Sequence, residues 1–291
     1  MKLLVFDFGG SAIKYGLWEN ETLSQANQFP TPDSWPNLKV ALKKVQQEIG
    51  QAVNGVGISA PGAVNVKKQC IEGISAIPYI HHFDIFSELR ALFEVPVAIE
   101  NDTNCAGLAE FYNGAAKEQT NAAFVVIGSG IGGALFVNGQ MNKGAHLYGG
   151  EFGLMYLTPT ETFSNLGTAV SMAERYCQRA QLPVKSVTGK EVFALAQTGD
   201  EYAQQEVERF YRYLAQGLFN IQFSFDPEII VLGGGVSALP GLISGIKRYL
   251  QQFLASHNLQ DFVPEIVTCQ YQNEANLVGA AANYLLSYPK K

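Results

Sequence analysis

Twice in this chain an apolar strand runs into a glycine-rich turn and comes straight back out as a strand. In "VFDFGGSAIKYGL" (5–17), Ile13, Tyr15 and Leu17 recur at every second position after Gly9-Gly10-Ser11, which is strand periodicity. "FVVIGSGIGGALFVNG" (124–139) repeats the plan around Gly128-Ser129-Gly130. Phosphate-cradling turns of the dinucleotide-binding and P-loop kinds lead from a strand into a helix. Here a second strand follows, so neither fingerprint applies. A turn of exposed backbone amides is a ready-made anion site. Either turn alone is an ordinary glycine-rich β-turn; the pair predicts two similar halves facing each other across a cleft.

Strand patterns fall at 2–6, 12–18, 53–59, 96–100, 122–127, 133–137, 228–232 and 265–268. Helical patterns fall between them, at 35–47, 85–93 behind a capping Asp84, 103–114, 168–180, 201–225, 239–254 and 275–286. This alternation predicts an α/β protein with helices layered on sheets. At 291 residues and 47% hydrophobic content the chain can bury more than one core. The net charge of −6 and the lack of any basic run argue against nucleic acid or an anionic membrane as partner. Runs such as "AAFVVIG" and "EIIVLGGG" are too short to span a bilayer, and no basic lead precedes the first strand. The expectation is a cytoplasmic protein acting on a small molecule. Cys70, Cys105, Cys177 and Cys269 lie far apart, as reduced thiols would. Neither they nor His81, His82, His146 and His257 show metal-ligand spacing, and no zinc site is expected.

The paired hairpins, with Asp7 ahead of the first, resemble the sugar kinase, Hsp70 and actin superfamily. Four further stretches narrow the resemblance: "GVGISAPGAVN" (55–65), "VAIENDTNCAGLAE" (97–110), "NKGAHLYGGEFGLM" (142–155) and "IIVLGGGVS" (229–237). Together they resemble the ROK family of bacterial sugar kinases and repressors, and "FDFGGSAIKYGL" is most similar to the β-glucoside kinases. The resemblance implies a two-lobed actin-like ATPase fold, each lobe a mixed sheet with helices. The first lobe would hold residues 1 to about 115, with the C-terminal helix 275–291 returning to it, and the second 116–274.

Asp102 follows one strand pattern and opens a helix pattern. A carboxylate at that junction is expected to stay ionised, because the helix dipole and free amides favour the charged form. It can then accept a proton from a sugar hydroxyl attacking phosphorus. Capping the helix is the competing use of an aspartate there. Phosphoryl transfer needs charge stabilisation, for which the resemblance implies ATP and Mg²⁺. Gly9, Gly10 and Ser11, and Gly128, Ser129 and Gly130, would hold the ATP phosphates, with Asp7 near the hydrated Mg²⁺. Lys14 would reach a phosphate or be a solvated strand lysine. Gly233-Gly234-Gly235 would let backbone pack near the adenosine, or form a plain strand-to-helix turn. The sugar would be met by Asn101 and Asp102, by Asn65 of the "PGAVN" loop, and by Glu151, whose flanking glycines permit close backbone approach.

Many ROK kinases follow "GEFG" with a histidine and a cysteine-rich zinc loop. Here that position is Leu154 and the next cysteine is Cys177. Glu161 or Tyr148 would replace the missing histidine, or the pocket would stay open toward Leu154 and Phe163 and admit a β-glucoside. The expected activity is ATP-dependent phosphorylation of a hexose or β-glucoside, at the 6-hydroxyl, by a homodimer. The alternatives are a sugar-sensing regulator, which would carry a helix-turn-helix domain ahead of the first strand, and a sugar-binding protein without turnover.

Overall fold

The computed structural model describes residues 1–289, and the chain divides into two compact units. The first comprises Met1–Lys117, Gly144–Tyr148 and the chain from Tyr271 onward; the second comprises Glu118–Lys143 and Gly149–Gln270. Among the described residues no helix is long and apolar enough to cross a membrane.

The first unit opens with the hairpin β1 (Lys2–Phe8) and β2 (Ala12–Glu19), extended by β3 (Thr22–Pro30). Next come α1 (Trp35–Ile49), β4 (Gly55–Ala60), the small hairpin β5 (Ala63–Asn65) and β6 (Cys70–Glu72), α2 (Ile85–Phe93), β7 (Val97–Asn101) and α3 (Asp102–Asn113). The sheet order is β3-β2-β1-β4-β7. β1, β4 and β7 run parallel, β7 at the sheet's edge, and their sequences are apolar runs that are almost wholly buried. Their register sets Asp7 beside Ser59, Ser59 beside Glu100, and Ala60 beside Asn101, so polar residues line up at the strands' carboxyl ends. Leu38, Leu42 and Val45 of α1 and Phe86, Leu89 and Phe93 of α2 bury their apolar stripes against Leu4, Phe6 and Phe8. Asp84 caps α2 as expected, accepting from the Ser87 amide at 2.9 Å.

The second unit contains β8 (Ala122–Ile127), β9 (Ile131–Val137), β10 (Gln140–Met141), α4 (Phe163–Leu166), α5 (Ala169–Arg179), α6 (Gly189–Gln197), α7 (Glu201–Phe225), β11 (Ile229–Gly233), α8 (Leu242–Ser256) and β12 (Ile266–Thr268). Its sheet order, β10-β9-β8-β11-β12, reproduces the plan of the first sheet: an antiparallel hairpin and edge strand, then parallel neighbours. Phe163, Phe210, Leu214, Leu218 and Leu250 close over Val125, Leu135 and Leu232 to form its core. Glu206 of α7 is fully buried and ion-paired with Arg175, Arg179 and Arg209 at 2.9–3.1 Å. Such a carboxylate is tolerable in a core only because it is multiply paired.

The last helix, α9 (Ala275–Ser287), belongs to the first unit and packs on α3, β4, β1 and β7. Its run of small residues allows near-backbone contact: a Cβ added at Gly279 would overlap the Cys105 carbonyl, and one at Gly57 the Ala280 carbonyl. Glu110 of α3 accepts from the Tyr271 amide at 2.8 Å and so ties the lead-in of α9 to α3. Residues 290 and 291, included in the expected C-terminal helix segment, lie outside the described residues.

Candidate active site

The first glycine-rich turn is a hairpin loop. Phe8 pairs with Ile13, Asp7 with Lys14, and the Gly9 amide donates to the Ala12 carbonyl at 3.1 Å. Gly10 and Ser11 are exposed. Asp7 is buried, and two donors converge on its Oδ1: the Ser59 hydroxyl at 2.8 Å and the Asn276 amide nitrogen at 3.0 Å. Burial pushes the Asp7 carboxyl above the usual carboxylate value, outweighing the lowering effects of Ser59, Asn276 and the half-buried Lys14. Ser59 and Asn276 were not anticipated as site residues. Their contacts with Asp7 are long-range; the only local signal was a serine inside the otherwise apolar strand "GVGISA".

β7 passes directly into α3, and the competing use of Asp102 as the helix cap falls away. Asn101, not Asp102, caps the helix: its Oδ1 accepts from the Asn104 amide at 3.1 Å. Its Nδ2 donates to the Gly62 carbonyl of the "PGAVN" loop at 3.0 Å. Asp102 is the first helical residue and holds one short bond, from the Thr103 amide to Oδ1 at 2.7 Å. Its pKa is not held down as the helix-terminus argument implied. Burial raises it above the usual value, outweighing the Thr103 amide, and the nearby Asp7 charge adds to the rise. Asn65 lies across the β5–β6 hairpin, where Oδ1 accepts from the Lys68 amide at 3.0 Å and Nδ2 donates to Glu72 at 3.1 Å.

In the second unit, Ile127 pairs with Ile131 around Gly128-Ser129-Gly130, and all three turn residues are exposed. A Cβ at Gly128 would meet only the Gly130 carbonyl, at 3.9 Å, and one at Gly130 only Ser164 Oγ, at 3.6 Å, while the Gly128 amide donates to the Gly130 carbonyl at 2.9 Å. An open amide turn of this kind accommodates phosphate oxygens. A buried aspartate whose partners both occupy one oxygen suits a cation that keeps its water shell, as Mg²⁺ does. β11 lies beside β8 and also ends in glycines. Gly234 has φ +84°, and a side chain there would overlap the Ile127 carbonyl, so glycine is required. After Gly235–Ala238, Leu239 and Pro240 reach a cavity of about 440 Å³ also lined by Phe193, Val207 and Tyr211.

Glu151 is exposed in a segment pressed onto β9, where side chains at Gly150 or Gly153 would overlap the carbonyls of Gly133 or Ile131. Beyond it, residues 155–163 form a tight loop. The Phe163 amide donates to the Met155 carbonyl at 2.7 Å, and Tyr156 bridges Thr162. Leu154 and Tyr156 are 65% and 66% exposed, whereas Phe163 is fully buried in the core. Phe163 is therefore not available to line the open pocket expected beside Leu154. Glu161 Oε2 accepts from Asn165 Nδ2 of α4 at 2.8 Å. Tyr148 is exposed, in the segment that groups with the first unit. Among the described residues no group of three histidine, cysteine or acidic side chains is placed to hold a metal.

Two sheets of one plan, each with a glycine turn in its leading hairpin and the first with aspartates at its strand ends, define the actin-like ATPase fold of sugar kinases. Residues 4–285 match the ROK family, and the chain belongs to it. It is 33% identical over 294 residues to a β-glucoside kinase of Listeria innocua serovar 6a, covering 98% of each chain. A β-glucoside kinase of Klebsiella pneumoniae is also 33% identical, with 98% of this chain and 96% of that protein covered. Among solved structures, a ROK family protein from Streptococcus pneumoniae TIGR4, in complex with sucrose, superposes with a TM-score of 0.90 at 35% identity, covering 99% of each chain.

Proposed function

We propose that this ROK sugar kinase transfers the γ-phosphoryl group of ATP to the 6-hydroxyl of a β-glucoside or hexose, with Asp102 as the general base. The observation that carries the reading is the division of labour at the head of α3. Asn101 supplies the cap, so the Asp102 carboxylate keeps acceptor capacity for a substrate hydroxyl. A base with a raised pKa is closer to the operating pH and draws a proton more effectively than an ordinary aspartate. Asn101 and Glu151 bond sugar hydroxyls. Asn65 contributes through the hairpin it organises.

Bound Mg²⁺–ATP supplies the phosphoryl group and the countercharge for its transfer. The amides of Gly10 and Ser11, and of Ser129 and Gly130, hold phosphate oxygens, while the Gly9 and Gly128 amides hold the turns in shape through the Ala12 and Gly130 carbonyls. Lys14 adds charge, and Asp7 orients water of the cation. Gly233 and Gly234 bring the chain to the aromatic cavity beside Leu239, which takes the adenine. The apolar Leu154, standing where many ROK kinases have a histidine, favours a glycoside, since its side chain offers no partner to a free anomeric hydroxyl. The two β-glucoside kinase relatives and the sucrose-bound neighbour support that acceptor class. Family resemblance supports Mg²⁺ as the cation and a cytoplasmic homodimer. The lobes proposed are 1–115 with the C-terminal helix, and 116–274.

The test is ADP release from ATP over glucose, N-acetylglucosamine, methyl β-glucoside and cellobiose. Sugar-dependent release that stops when Mg²⁺ is chelated is expected. ATP hydrolysis indifferent to every sugar would overturn the reading.

A further inference from the structure

Ser164, in α4, stands where three segments of the second unit meet. Its Oγ accepts from the Ile131 amide at 2.9 Å and donates to the Ile131 carbonyl at 3.3 Å. Ile131 directly follows Gly130, so this pair of bonds fixes one limb of the amide turn. The same hydroxyl is packed against Gly153, where a Cβ would overlap both Ser164 Oγ and the Ile131 carbonyl. Gly153 lies two residues after Glu151, and the Leu154 amide donates to the Glu151 carbonyl at 3.1 Å. The tight loop 155–163 then returns the chain to Ser164. The Glu151 segment and the turn therefore share one hydroxyl, and neither can shift without disturbing its bonds. The turn ahead of Ile131 is exposed and carries two glycines, and although the Gly128 amide bonds the Gly130 carbonyl at 2.9 Å, it keeps conformational freedom to lose when a ligand is bound.

We propose that Ser164 is a positioning residue that couples the sugar and nucleotide sites: a sugar seated on Glu151 orders residues 150–164, and Ser164 transmits that order to the amides of Gly128–Gly130. The inference rests on the reading that Glu151 meets the sugar and the turn meets phosphate. Part of the ordering entropy of the turn is then lost when the sugar binds, so the nucleotide binds a structure already fixed. Linkage makes the effect reciprocal: each ligand tightens the other by the same factor.

The experiment is titration calorimetry of a non-hydrolysable ATP analogue with Mg²⁺, with and without a saturating acceptor. The acceptor is whichever of glucose and cellobiose gives faster ADP release. In the wild-type protein the acceptor should tighten the analogue at least ~5-fold, the lower end of typical coupling. In Ser164→Ala both ligands should still bind, with the ratio reduced to within about 2-fold of unity. A folded Ser164→Ala that keeps the wild-type ratio overturns the proposal, as does a wild-type ratio of one. A folded variant that binds neither ligand also overturns it, by making Ser164 scaffold. A wild-type protein that binds no analogue overturns the functional reading itself, which separates the two failures. If Ser164→Ala does not fold, hydrogen exchange on the wild-type protein decides. The Ile131 amide should exchange several-fold more slowly with acceptor alone present, and unchanged exchange overturns the coupling.

Discussion

Asp102 is half-buried and takes its shortest bond from the Thr103 amide, and both facts predict a measurement. Asp102→Asn keeps the shape and most hydrogen bonding, so acceptor affinity should be nearly unchanged while turnover falls about 10²- to 10⁴-fold, the usual worth of a positioned base. Near-normal turnover would remove Asp102 from the mechanism. In the wild-type protein kcat/KM should fall on the acid side as Asp102 takes its proton. Because burial raises its pKa, that limb should lie above the ordinary aspartate value of about 3.9. Asp7 makes a second prediction, in stability. Its pKa is higher folded than unfolded, so the folded state binds its proton more tightly, and stability is lost as the pH rises from the ordinary carboxylate pKa, in full above the raised value. Asp7→Asn preserves an acceptor for Ser59 and Asn276 without the charge. It should raise Tm at about pH 8, and the gain should shrink as pH falls through the raised pKa and vanish below the ordinary carboxylate pKa. Thermal melts at the two ends of that range check it; a variant less stable at the alkaline end would show that the Lys14 attraction outweighs desolvation.

Among the elements, α9 carries the sharpest steric constraint. Gly279 abuts the Cys105 carbonyl of α3, so Gly279→Val must push two packed helices apart. A loss of about 1–3 kcal/mol or more is expected from such overpacking, measured by denaturant unfolding. A neutral result would mean that α9 and α3 can separate freely. The small-residue run of α9 was legible in the sequence, as were both hairpins and the boundaries of α2, α7 and β8, because apolar period, caps and turn residues agree there. β3 was not. Its residues are mostly exposed and polar, so it lacks the alternation by which strands are recognised. α6 went unread, although Thr188 and Glu191 form a capping box, because it buries only Val192 fully. At the site, Asp102 was placed correctly at the strand-to-helix junction, but its pKa was not. Local sequence registers a helix N-terminus, whereas the burial and the Asp7 charge that raise it come from tertiary structure. Phe163 failed for the same reason: a loop aromatic in sequence is a core residue once α4 and α7 pack.

At the scale of the whole molecule, the acceptor is the informative variable. With Leu154 exposed and a Glu161 oxygen bonded to Asn165, a β-glucoside should be phosphorylated at least as efficiently as free glucose. A tenfold preference for glucose in kcat/KM, about 1.4 kcal/mol of transition-state binding, would mean that some polar group does reach the anomeric hydroxyl. The outer strand β3 has a different consequence. A free sheet edge is a template on which another chain can add a strand and begin to aggregate. β3 presents Ser24, Gln25, Asn27 and Gln28 rather than an apolar row, and its pairing slips between Tyr15 and Leu17, where Gln25 turns to φ +53°. The bulge bends the edge out of register with any straight partner. Strand-by-strand growth of fibrils from this side of the protein is thereby discouraged, even in the concentrated solutions that calorimetry needs.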